Sequence, residues 1–382
     1  MDFELSEQHL ALRTMVRDFA EKEVRPVAQH LDQTAEFPYD IARKMGELGL
    51  MGIPFPEKYG GGGADTLSVV VAIEELARVD ISMAITMQAN VTLGGYPLWL
   101  YGTEEQKQRW LVPLAQGKHL GAFGLTEARG GSDAGNPDTS AVLDKGQWTI
   151  NGSKSFITNS GTDMTAFVTV LAATGRRPDG SRETSNILVP KGTPGYHIAP
   201  AYNKIGWRAS DTHELAFMDC RVPDGNLVGQ RGAGFRQFLH VLDYGRISVA
   251  TLGVGLAQAC LELSLDYAKQ RVAFGQTISH YQAIQFKLAD MAMEVELARL
   301  MTCKSAVLAD QGKPFALESA YAKLFSSETA ERSASQCMQI HGGIGCMAES
   351  PAQRFYRDAK ILTIGEGTSE IQRLVIARQL GC

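Results

Sequence analysis

The feature that most restricts the fold of this chain is a β-rich region enclosed by two helical ones. Between about residues 122 and 228, apolar and polar residues alternate, β-branched and aromatic types increase, and turn sequences recur. Those turn sequences are DKGQ at Asp144, NGSK at Asn151, PKGTPG at Pro190 and PDG at Pro223. Short strands joined by such turns predict a small antiparallel β-domain.

The flanking regions show the spacing of packed helices. Leu12, Val16 and Phe19 recur at helical intervals after Ser6, a residue typical of helix N-caps. One or two helices are expected after Gly232, and others at about 38–48, 67–78, 81–93, 103–114, 280–310 and 314–340. We therefore expect an N-terminal helical domain at 1–120, a middle β-domain at 121–230 and a C-terminal helical domain at 231–382.

Composition and charge exclude several classes of protein. The chain has 382 residues and is 44% hydrophobic, enough to bury a large core. Its formal net charge of −5, with both signs mixed, argues against a nucleic-acid surface, and no apolar run reaches the roughly 18 residues of a membrane span. The acidic N-terminus resembles neither a signal nor a transit peptide, and the six cysteines form no CxxC pair. We therefore expect a cytoplasmic protein with reduced thiols, no metal site, no membrane partner and no nucleic-acid partner.

A single carboxylate near the C-terminus is the candidate catalytic group. Glu366 lies between Gly365 and Gly367, after a basic segment and before an amphipathic helix that starts at Thr368. The glycines keep the backbone free of side-chain bulk, so a ligand can lie against the main chain while the carboxylate points at it. One glutamate alone is weak evidence, because most acidic residues are solvated surface groups.

Several other segments have the groups needed to bind a flavin nucleotide. FGLTEARGGSD places backbone donors and the hydroxyls of Thr126 and Ser132 along one stretch, which suits the edge of an isoalloxazine ring. A glycine-rich loop between strands is the ordinary alternative. NGSKSFITNSG follows at 151–161. The glycines of QIHGGIG at 339–345 allow close approach of a backbone or a phosphate.

Together these motifs resemble the acyl-CoA dehydrogenase family of flavoenzymes. The runs RDAK, EGTSEIQR and IAR resemble the family's C-terminal signature, TEARGGSD resembles its TEPGAGSD, and NGSKSFITN its NGxKxWITN. RVAFG and QIHGGIG resemble its RxxFG and QxxGGxG, and the matches occur in order over nearly the whole chain. The resemblance implies an α+β, mostly α fold with an N-terminal helical domain, a middle antiparallel β-domain and a C-terminal four-helix bundle. It also implies a homotetramer.

The resemblance implies FAD as the cofactor, held between the β-domain and the bundle near a contact between subunits. In the β-domain the implied FAD contacts are Phe123, Leu125, Thr126, Gly131, Ser132, Phe156, Ile157 and Thr158. In the C-terminal region they are Arg271, Phe274, Gln282, Gln339, Gly342, Gly343, Thr368, Ser369 and Glu370. Arg271 and the QIHGGIG motif would serve the FAD of a neighbouring subunit.

The implied reaction is α,β-dehydrogenation of an acyl-CoA thioester to the trans-2-enoyl-CoA. Glu366 would take the α-proton, a hydride would pass to flavin N5, and the electrons would go to an electron-transferring flavoprotein. The Glu366 backbone N–H and an FAD ribityl hydroxyl would bind the thioester oxygen. Gly245 carries no carboxylate at the position where isovaleryl- and long-chain-type relatives have the catalytic Glu, which leaves Glu366 as the base. The implied substrate contacts are Ser132, Asp243, Arg246 and Gly367.

Three departures from the family pattern bear on the site. Phe156 stands where relatives have Trp, and it keeps the aromatic face without the indole donor. Ala128 and Arg129 replace the usual Pro and Gly of the flavin segment. Gly365 stands where most relatives have Tyr, which leaves space beside the reacting carbons and predicts a branched or bulky acyl group. The segment 87–99 would form one wall of the acyl pocket.

Other functions on the same fold remain as alternatives. An acyl-CoA oxidase or an enoyl-CoA reductase is compatible with the sequence, and the oxygen reactivity of the reduced flavin would separate them. A non-enzymatic, AidB-like flavoprotein that binds nucleic acid is a third alternative. The net charge of −5 argues against it.

Overall fold

The computed structural model describes residues 4–382 and shows two helical regions, one before and one after a β-sheet. This order confirms the predicted fold class. The last helix of the first region ends at Ala115, the strands of the sheet run from Leu120 to Val228, and the next helix begins at Gly234. The domain limits of 1–120, 121–230 and 231–382 stay predictions.

Short helices build the N-terminal region, several of them with side-chain caps. Ser6 accepts a backbone N–H of the first helix, Asp65 and Asp80 do the same for two later helices, and Thr103 and Gln106 form a capping box. The helices are α1 (Glu7–Phe19), α2 (Arg25–Thr34), α3 (Tyr39–Glu47), α4 (Thr66–Ala77), α5 (Ile81–Gln88), α6 (Tyr96–Tyr101), α7 (Glu104–Gln106) and α8 (Val112–Ala115). Segments of π-helix join some of them, at Ala20–Val24, Ala89–Gly95 and Lys107–Leu111.

A sheet with its own core forms the middle region. Its strands are β1 (Leu120–Gly124), β2 (Ser140–Asp144), β3 (Gln147–Thr158), β4 (Thr165–Arg176), β5 (Arg182–Pro190), β6 (Tyr196–Ile198), β7 (Thr212–Pro223) and β8 (Leu227–Val228). The order is β6-β7-β3-β2-β4-β5-β8, with β1 beside β4. Most neighbours are antiparallel, but β1 pairs with β4 in parallel and β2 shares one parallel pair with β4. Inward side chains such as Trp148 and Phe217 fill the core of this sheet.

One predicted turn is wrong. The NGSK sequence at Asn151 lies inside β3, where the pairing with β7 shifts register just before Gly152. Gly152 has a φ of 141°, and a Cβ there would lie 2.6 Å from the Thr139 backbone. Glycine therefore serves an irregularity within the strand and a close backbone approach, where the sequence pattern predicted a chain reversal.

Long helices build the C-terminal region. They are α9 (Gly234–Gln270), α10 (Gln282–Asp310) and α11 (Ala316–His341), followed by α12 (Pro351–Leu362) and α13 (Ser369–Gln379). A small hairpin of β9 (Val272–Ala273) and β10 (Gln276–Thr277) lies between α9 and α10. Helix α9 is long and apolar enough to cross a membrane, but 83% of its apolar window is buried inside the fold, as in a core helix.

One hydrophobic core joins the two helical regions. It includes Val16 of α1, Leu76 of α4, Leu252 of α9, Ala330 of α11 and Phe355 of α12. Because α5, α9 and α11 share this core, residues far apart in sequence meet at the segment that connects α12 to α13. That segment carries Glu366.

Candidate active site

The backbone around Glu366 makes a tight left-handed turn between α12 and α13. Glu366 has a φ of 50° and Gly367 a φ of 97°. Thr368 then caps α13 by accepting the Ile371 N–H at 3.3 Å. Non-glycine residues rarely adopt positive φ, and those that do cluster at functional sites. This turn fixes the direction in which the carboxylate leaves the backbone.

One oxygen of the Glu366 carboxylate is held and the other is free. Oε1 accepts the side-chain N–H of Gln88, at the end of α5, at 2.9 Å, and the same amide donates to Thr92 at 2.7 Å. Oε2 is buried and has no hydrogen-bond partner within residues 4–382. A Cβ on Gly245 of α9 would lie 2.3 Å from Oε2, so a side chain at position 245 would displace the carboxylate from this position. The free oxygen is the one that can take up a proton.

Burial raises the pKa of Glu366 to about 7. The hydrogen bond from Gln88 and the charges of Lys323 and Arg246 lower this pKa, but desolvation is the larger effect. The residue as a whole is half-buried, whereas its Oε2 is closed off from solvent. A general base works best when its pKa lies near the working pH, and Glu366 meets that condition.

Two cationic side chains flank the Glu366 turn. Lys323 of α11 is fully buried and donates to the Gly367 carbonyl at 2.7 Å, and burial lowers its pKa to about 8. Arg246 follows Gly245 on α9 and pairs with Asp243 one turn earlier. Burial lowers the pKa of Arg246 and raises that of Asp243. Of the predicted substrate contacts, Arg246 therefore lies near Glu366 with Asp243 paired to it, and Gly367 is part of the turn itself.

A buried ion pair ties the predicted flavin segment to β3. Lys154 is fully buried and donates to Glu127 at 2.7 Å and to the Leu125 carbonyl at 3.1 Å. Glu127 also accepts two backbone N–H groups that precede β2. At the start of the segment, Phe123 stacks on Phe238 of α9 with ring centroids 4.2 Å apart. These contacts fix the backbone on both sides of Thr126.

The rest of the segment faces outward. Thr126 is half-buried and its carbonyl accepts the Ser155 N–H at 2.8 Å. Gly131 and Ser132 are exposed, and a Cβ on Gly131 would meet nothing within 4 Å. Packing within the chain therefore does not require glycine at position 131.

The end of β3 places one aromatic ring on the surface. Phe156 is 65% exposed with a φ of 61°, and it rests on Tyr202 with ring centroids 5.1 Å apart. Ile157 is buried in the core of the sheet and Thr158 is half-buried. Of the three predicted flavin contacts here, the Phe156 ring is the most accessible, while Ile157 offers only its backbone.

At the start of α13, the predicted cofactor residues differ in how they are used. The Thr368 side chain is already engaged as the helix cap. Ser369 is buried, and its hydroxyl has no partner in the part of the chain that the structure describes. Glu370 is exposed. These residues are adjacent to Glu366, and the free hydroxyl of Ser369 can donate to a bound group.

The remaining predicted cofactor residues lie at the far end of the bundle. They are Arg271, Phe274, Gln282, Gln339, Gly342 and Gly343. The stacking of Tyr267 on His341, with centroids 4.4 Å apart, joins the ends of α9 and α11 there. At about 1.5 Å per residue, Gln339 lies about 24 Å along α11 from Lys323. Within one chain, this second group is therefore distant from the Glu366 turn.

Trp207, in the segment between β6 and β7, lies against the residue before Glu366. A Cβ on Gly365 would be 3.8 Å from Cη2 of the Trp207 ring. Trp207 is buried, has a φ of 51°, and donates its backbone N–H to Asp358 at 2.6 Å. The space beside Gly365 is thus partly filled by an indole, and the predicted bulky acyl group stays a prediction.

Sequence reasoning missed several residues of the site. Gln88 lies inside the segment 87–99 that was expected to line the acyl pocket, but its hydrogen bond to Glu366 was not predicted. Lys323 and Trp207 carry no local signal, because each reaches the site only through long-range packing. The partner of Glu127 could be suspected from the Lys of NGSK, but only the fold shows that they meet.

Comparisons with known proteins agree with the motifs. The models of the acyl-CoA dehydrogenase N-terminal, middle and C-terminal domains match residues 6–118, 122–220 and 232–381. The chain belongs to the acyl-CoA dehydrogenase family. Its members are FAD-dependent oxidoreductases, and this protein is therefore an enzyme of that class.

Individual relatives match the chain from end to end. It is 55% identical over 380 residues to the probable acyl-CoA dehydrogenase YngJ of Bacillus subtilis, with 100% of both chains covered. It is 46% identical to the short-chain specific mitochondrial acyl-CoA dehydrogenase of Rattus norvegicus, over 99% of this chain and 91% of the rat protein. The structure of butyryl-CoA dehydrogenase from Megasphaera elsdenii has a TM-score of 0.97 at 40% identity and covers 100% of both chains.

Two further solved structures come from an FAD complex and from work on an electron transferring flavoprotein. An acyl-CoA dehydrogenase complexed with FAD from Bacillus anthracis has a TM-score of 0.92 at 34% identity, over 99% of this chain and 67% of that one. A chain from work on the electron transferring flavoprotein of Acidaminococcus fermentans has a TM-score of 0.96 at 42% identity, over 100% of this chain and 99% of that one.

The residues of this chain fit FAD. Gly131 and Gly343 have open space where a Cβ would stand, so their small size serves no packing within the chain. Phe156 is 65% exposed and Phe274 99% exposed, each with positive φ, and burying such large rings against a bound ring would be favourable. The Ser369 hydroxyl, buried without a partner among residues 4–382, adds a donor.

Proposed function

We propose that this enzyme oxidises a short-chain acyl-CoA thioester to the trans-2-enoyl-CoA, with Glu366 as the base that removes the α-proton. The observation that carries the proposal is the state of the Glu366 carboxylate. One oxygen is held by Gln88, the other is buried without a partner in residues 4–382, and the pKa is about 7. A carboxylate desolvated in this way is a stronger base than it is in water.

Removal of an α-proton requires donors for the charge that develops on the thioester oxygen. The backbone N–H of Glu366 donates to no acceptor within residues 4–382, so it is available for this role. The Lys323 ammonium binds the next carbonyl, that of Gly367, and holds the peptide in orientation. Proton uptake then leaves Glu366 neutral, the form that burial favours.

FAD, when bound, supplies the acceptor for the hydride that leaves the β-carbon. We assign its ring to the segment after β1 and the end of β3. The side chains or backbone groups available there are Phe123, Leu125, Thr126, Gly131, Ser132, Phe156, Ile157 and Thr158. Thr368, Ser369 and Glu370 lie next to the Glu366 turn and complete this half of the site.

The nucleotide end of coenzyme A is assigned to a basic cavity beside the start of α9. The cavity has a volume of about 490 Å³. Four of its lining residues are Arg177, Arg182, Arg231 and Arg236. Guanidinium groups bind phosphates well. Arg236 and Arg246 are about 15 Å apart along α9 at about 1.5 Å per residue, so a ligand can follow α9 from its phosphates to its thioester.

The identity of the acyl group is proposed from the relatives. One is named short-chain specific and another butyryl-CoA dehydrogenase. A branched or bulky acyl group, expected from Gly365, is the alternative. The proposed electron acceptor is an electron-transferring flavoprotein, in line with the structural neighbour from that system. A cytoplasmic location is part of the same proposal.

We further infer that the enzyme works as a homotetramer. The second group of cofactor residues lies about 24 Å along α11 from Lys323, so in one chain it does not meet the Glu366 site. Phe274, in this group, is 99% exposed. Helix α10 also presents an exposed apolar stripe suited to a second copy. Its residues are Phe286, Met293, Leu297, Leu300, Met301 and Val307. A neighbouring chain would supply the missing half of each FAD site and cover these side chains.

Anaerobic titration of the FAD-loaded protein with a panel of acyl-CoA thioesters tests the function. Wild type should lose its flavin absorbance with at least one short-chain thioester. Glu366→Gln should retain FAD and lose the response, while Glu47→Gln, at an exposed carboxylate at the end of α3 and outside the site, should bleach like wild type. Retention of bleaching in Glu366→Gln would rule out the assigned base. Fast reoxidation by O₂ in place of electron-transferring flavoprotein would indicate an oxidase.

A further inference from the structure

The wall beside the catalytic turn is built by a residue from the middle region. Gly365, just before Glu366, has no side chain, and its ideal Cβ would make only ordinary contacts, at 3.4 Å to the Ile361 carbonyl and 3.8 Å to Trp207 Cη2. A methyl group would fit there, but a larger side chain directed at the indole would meet it at once. The Trp207 ring therefore limits the space on this side of Glu366.

Trp207 is held firmly in a strained conformation. Its φ of 51° is unfavourable for a bulky residue, and it is kept by backbone contacts on both sides. The Trp207 N–H donates to Asp358 at 2.6 Å, and its carbonyl accepts from the N–H and the hydroxyl of Ser210, at 3.0 and 2.8 Å. Asp358 is buried on α12, the helix that leads to Gly365. The same helix thus fixes both the indole and the turn that it contacts.

The indole is also unusual for a core residue. Trp207 is 8% exposed, and its Nε1 has no hydrogen-bond partner among residues 4–382. A buried indole N–H is usually hydrogen-bonded. The Trp207 ring is therefore explained by the space that it fills and not by a hydrogen bond. Protein interiors are closely packed, so space left by a missing side chain is usually filled by a neighbouring one. The large Trp207 ring beside Gly365 fits that relationship.

We propose that Trp207 is a specificity-determining residue that fills the space left by Gly365 and selects straight acyl chains over chains branched at the α-carbon. The inference rests on the proposed function and adds which shape of acyl chain the same site accepts. Gly365 alone predicts a branched or bulky acyl group. The proposal predicts a straight one, because the Trp207 ring occupies the space that Gly365 leaves.

The test compares kcat/KM for butyryl-CoA and isobutyryl-CoA in FAD-loaded wild type and in Trp207→Leu. Wild type should prefer butyryl-CoA. Because one methyl group in an apolar pocket changes discrimination by about 10-fold or more, Trp207→Leu should shift the ratio toward isobutyryl-CoA by at least about 10-fold. Trp110→Leu is the matched control. Trp110 is half-buried in the π-helical segment before α8 and packs on Phe167 of β4, so its replacement should leave the ratio of the two kcat/KM values unchanged.

A size exchange provides a second, independent test. Gly365→Tyr should lower kcat/KM for butyryl-CoA by at least about 10-fold, by the same discrimination argument, because its ring collides with Trp207. Adding Trp207→Leu to Gly365→Tyr should restore much of that loss, which a purely structural role of Trp207 would not do. If Trp207→Leu does not retain FAD, the milder Trp207→Phe replaces it in both tests.

The outcomes separate this inference from the proposed function. If no thioester reduces wild type, the proposed function fails. If wild type is active but prefers isobutyryl-CoA, or Trp207→Leu leaves the substrate ratio unchanged and gives no rescue of Gly365→Tyr, the role of Trp207 is overturned while the dehydrogenase assignment stands.

Discussion

Replacing Gln88 by Leu should raise the pKa of the catalytic base and move the pH dependence of turnover. The Gln88 amide donates to Glu366 Oε1 at 2.9 Å and lowers the pKa of that carboxyl. A hydrogen bond to a charged group contributes about 1.5–3 kcal/mol, and one pKa unit corresponds to about 1.4 kcal/mol. Loss of the bond should therefore raise the pKa of Glu366 from about 7 by about 1–2 units.

This shift has a measurable size. At pH 7 the ionised fraction of Glu366 should fall from about a half to between about a tenth and a hundredth, so kcat/KM should drop by about 5- to 50-fold. Most of the loss should be recovered at about pH 9–10, where the base ionises again. The assay is kcat/KM for the best thioester between about pH 6 and 10. Thr92→Val is the control, because Thr92 contacts Gln88 and not Glu366. A uniform fall in kcat/KM with an unmoved inflection would refute the role given to Gln88.

Three further perturbations test other parts of the site. Because the folded pKa of Glu366 is about 7 and its ordinary value 4.5, its stabilising contribution is present below about pH 4.5 and is lost as the pH rises through 7. As the pH rises from about 4.5 to 8, the free energy of unfolding of Glu366→Gln should therefore increase relative to that of wild type by on the order of 3 kcal/mol. Urea denaturation measures this difference. A difference between the two proteins that does not change with pH would contradict a buried charge on Glu366. Gly245→Ala should lower kcat/KM at least about 10-fold without lowering the melting temperature, because Cβ displaces Oε2 while alanine favours the helix by about 1 kcal/mol. Lys154→Met should lower the free energy of unfolding by about 3–5 kcal/mol and weaken FAD retention, because it leaves Glu127 buried without its cation. Adding Glu127→Leu should recover part of the lost stability.

Local sequence patterns predicted the features that depend on neighbouring residues. The position of Glu366 just before a helix was predicted from the sequence, and Ser6 caps its helix as its residue type indicates. The alternation within 122–228 predicted strands because a sheet with one buried face imposes that period. The same reasoning failed at Asn151, because Asn-Gly usually signals a hairpin turn and here Gly152 serves an irregularity inside β3.

The chemistry around Glu366 could not be predicted, because it depends on long-range packing. Gln88 is 278 positions away from Glu366 in sequence, and only the shared core of the helical regions brings the two together. The same holds for Trp207 and Gly365, because only the fold places the indole beside the space that the missing side chain leaves. The pKa of Glu366 depends on desolvation by all of these elements at once.

Stopped-flow reduction of the bound flavin tests the central claim most directly. The rate would be followed anaerobically at saturating thioester across about pH 5 to 9, in wild type and in Glu366→Gln with FAD bound. We expect the wild-type rate to rise with a single ionisation near 7, and Glu366→Gln to be slower by at least about 10²–10⁴-fold at every pH. A rate that is independent of pH, together with fast reduction in Glu366→Gln, would show that another group removes the proton.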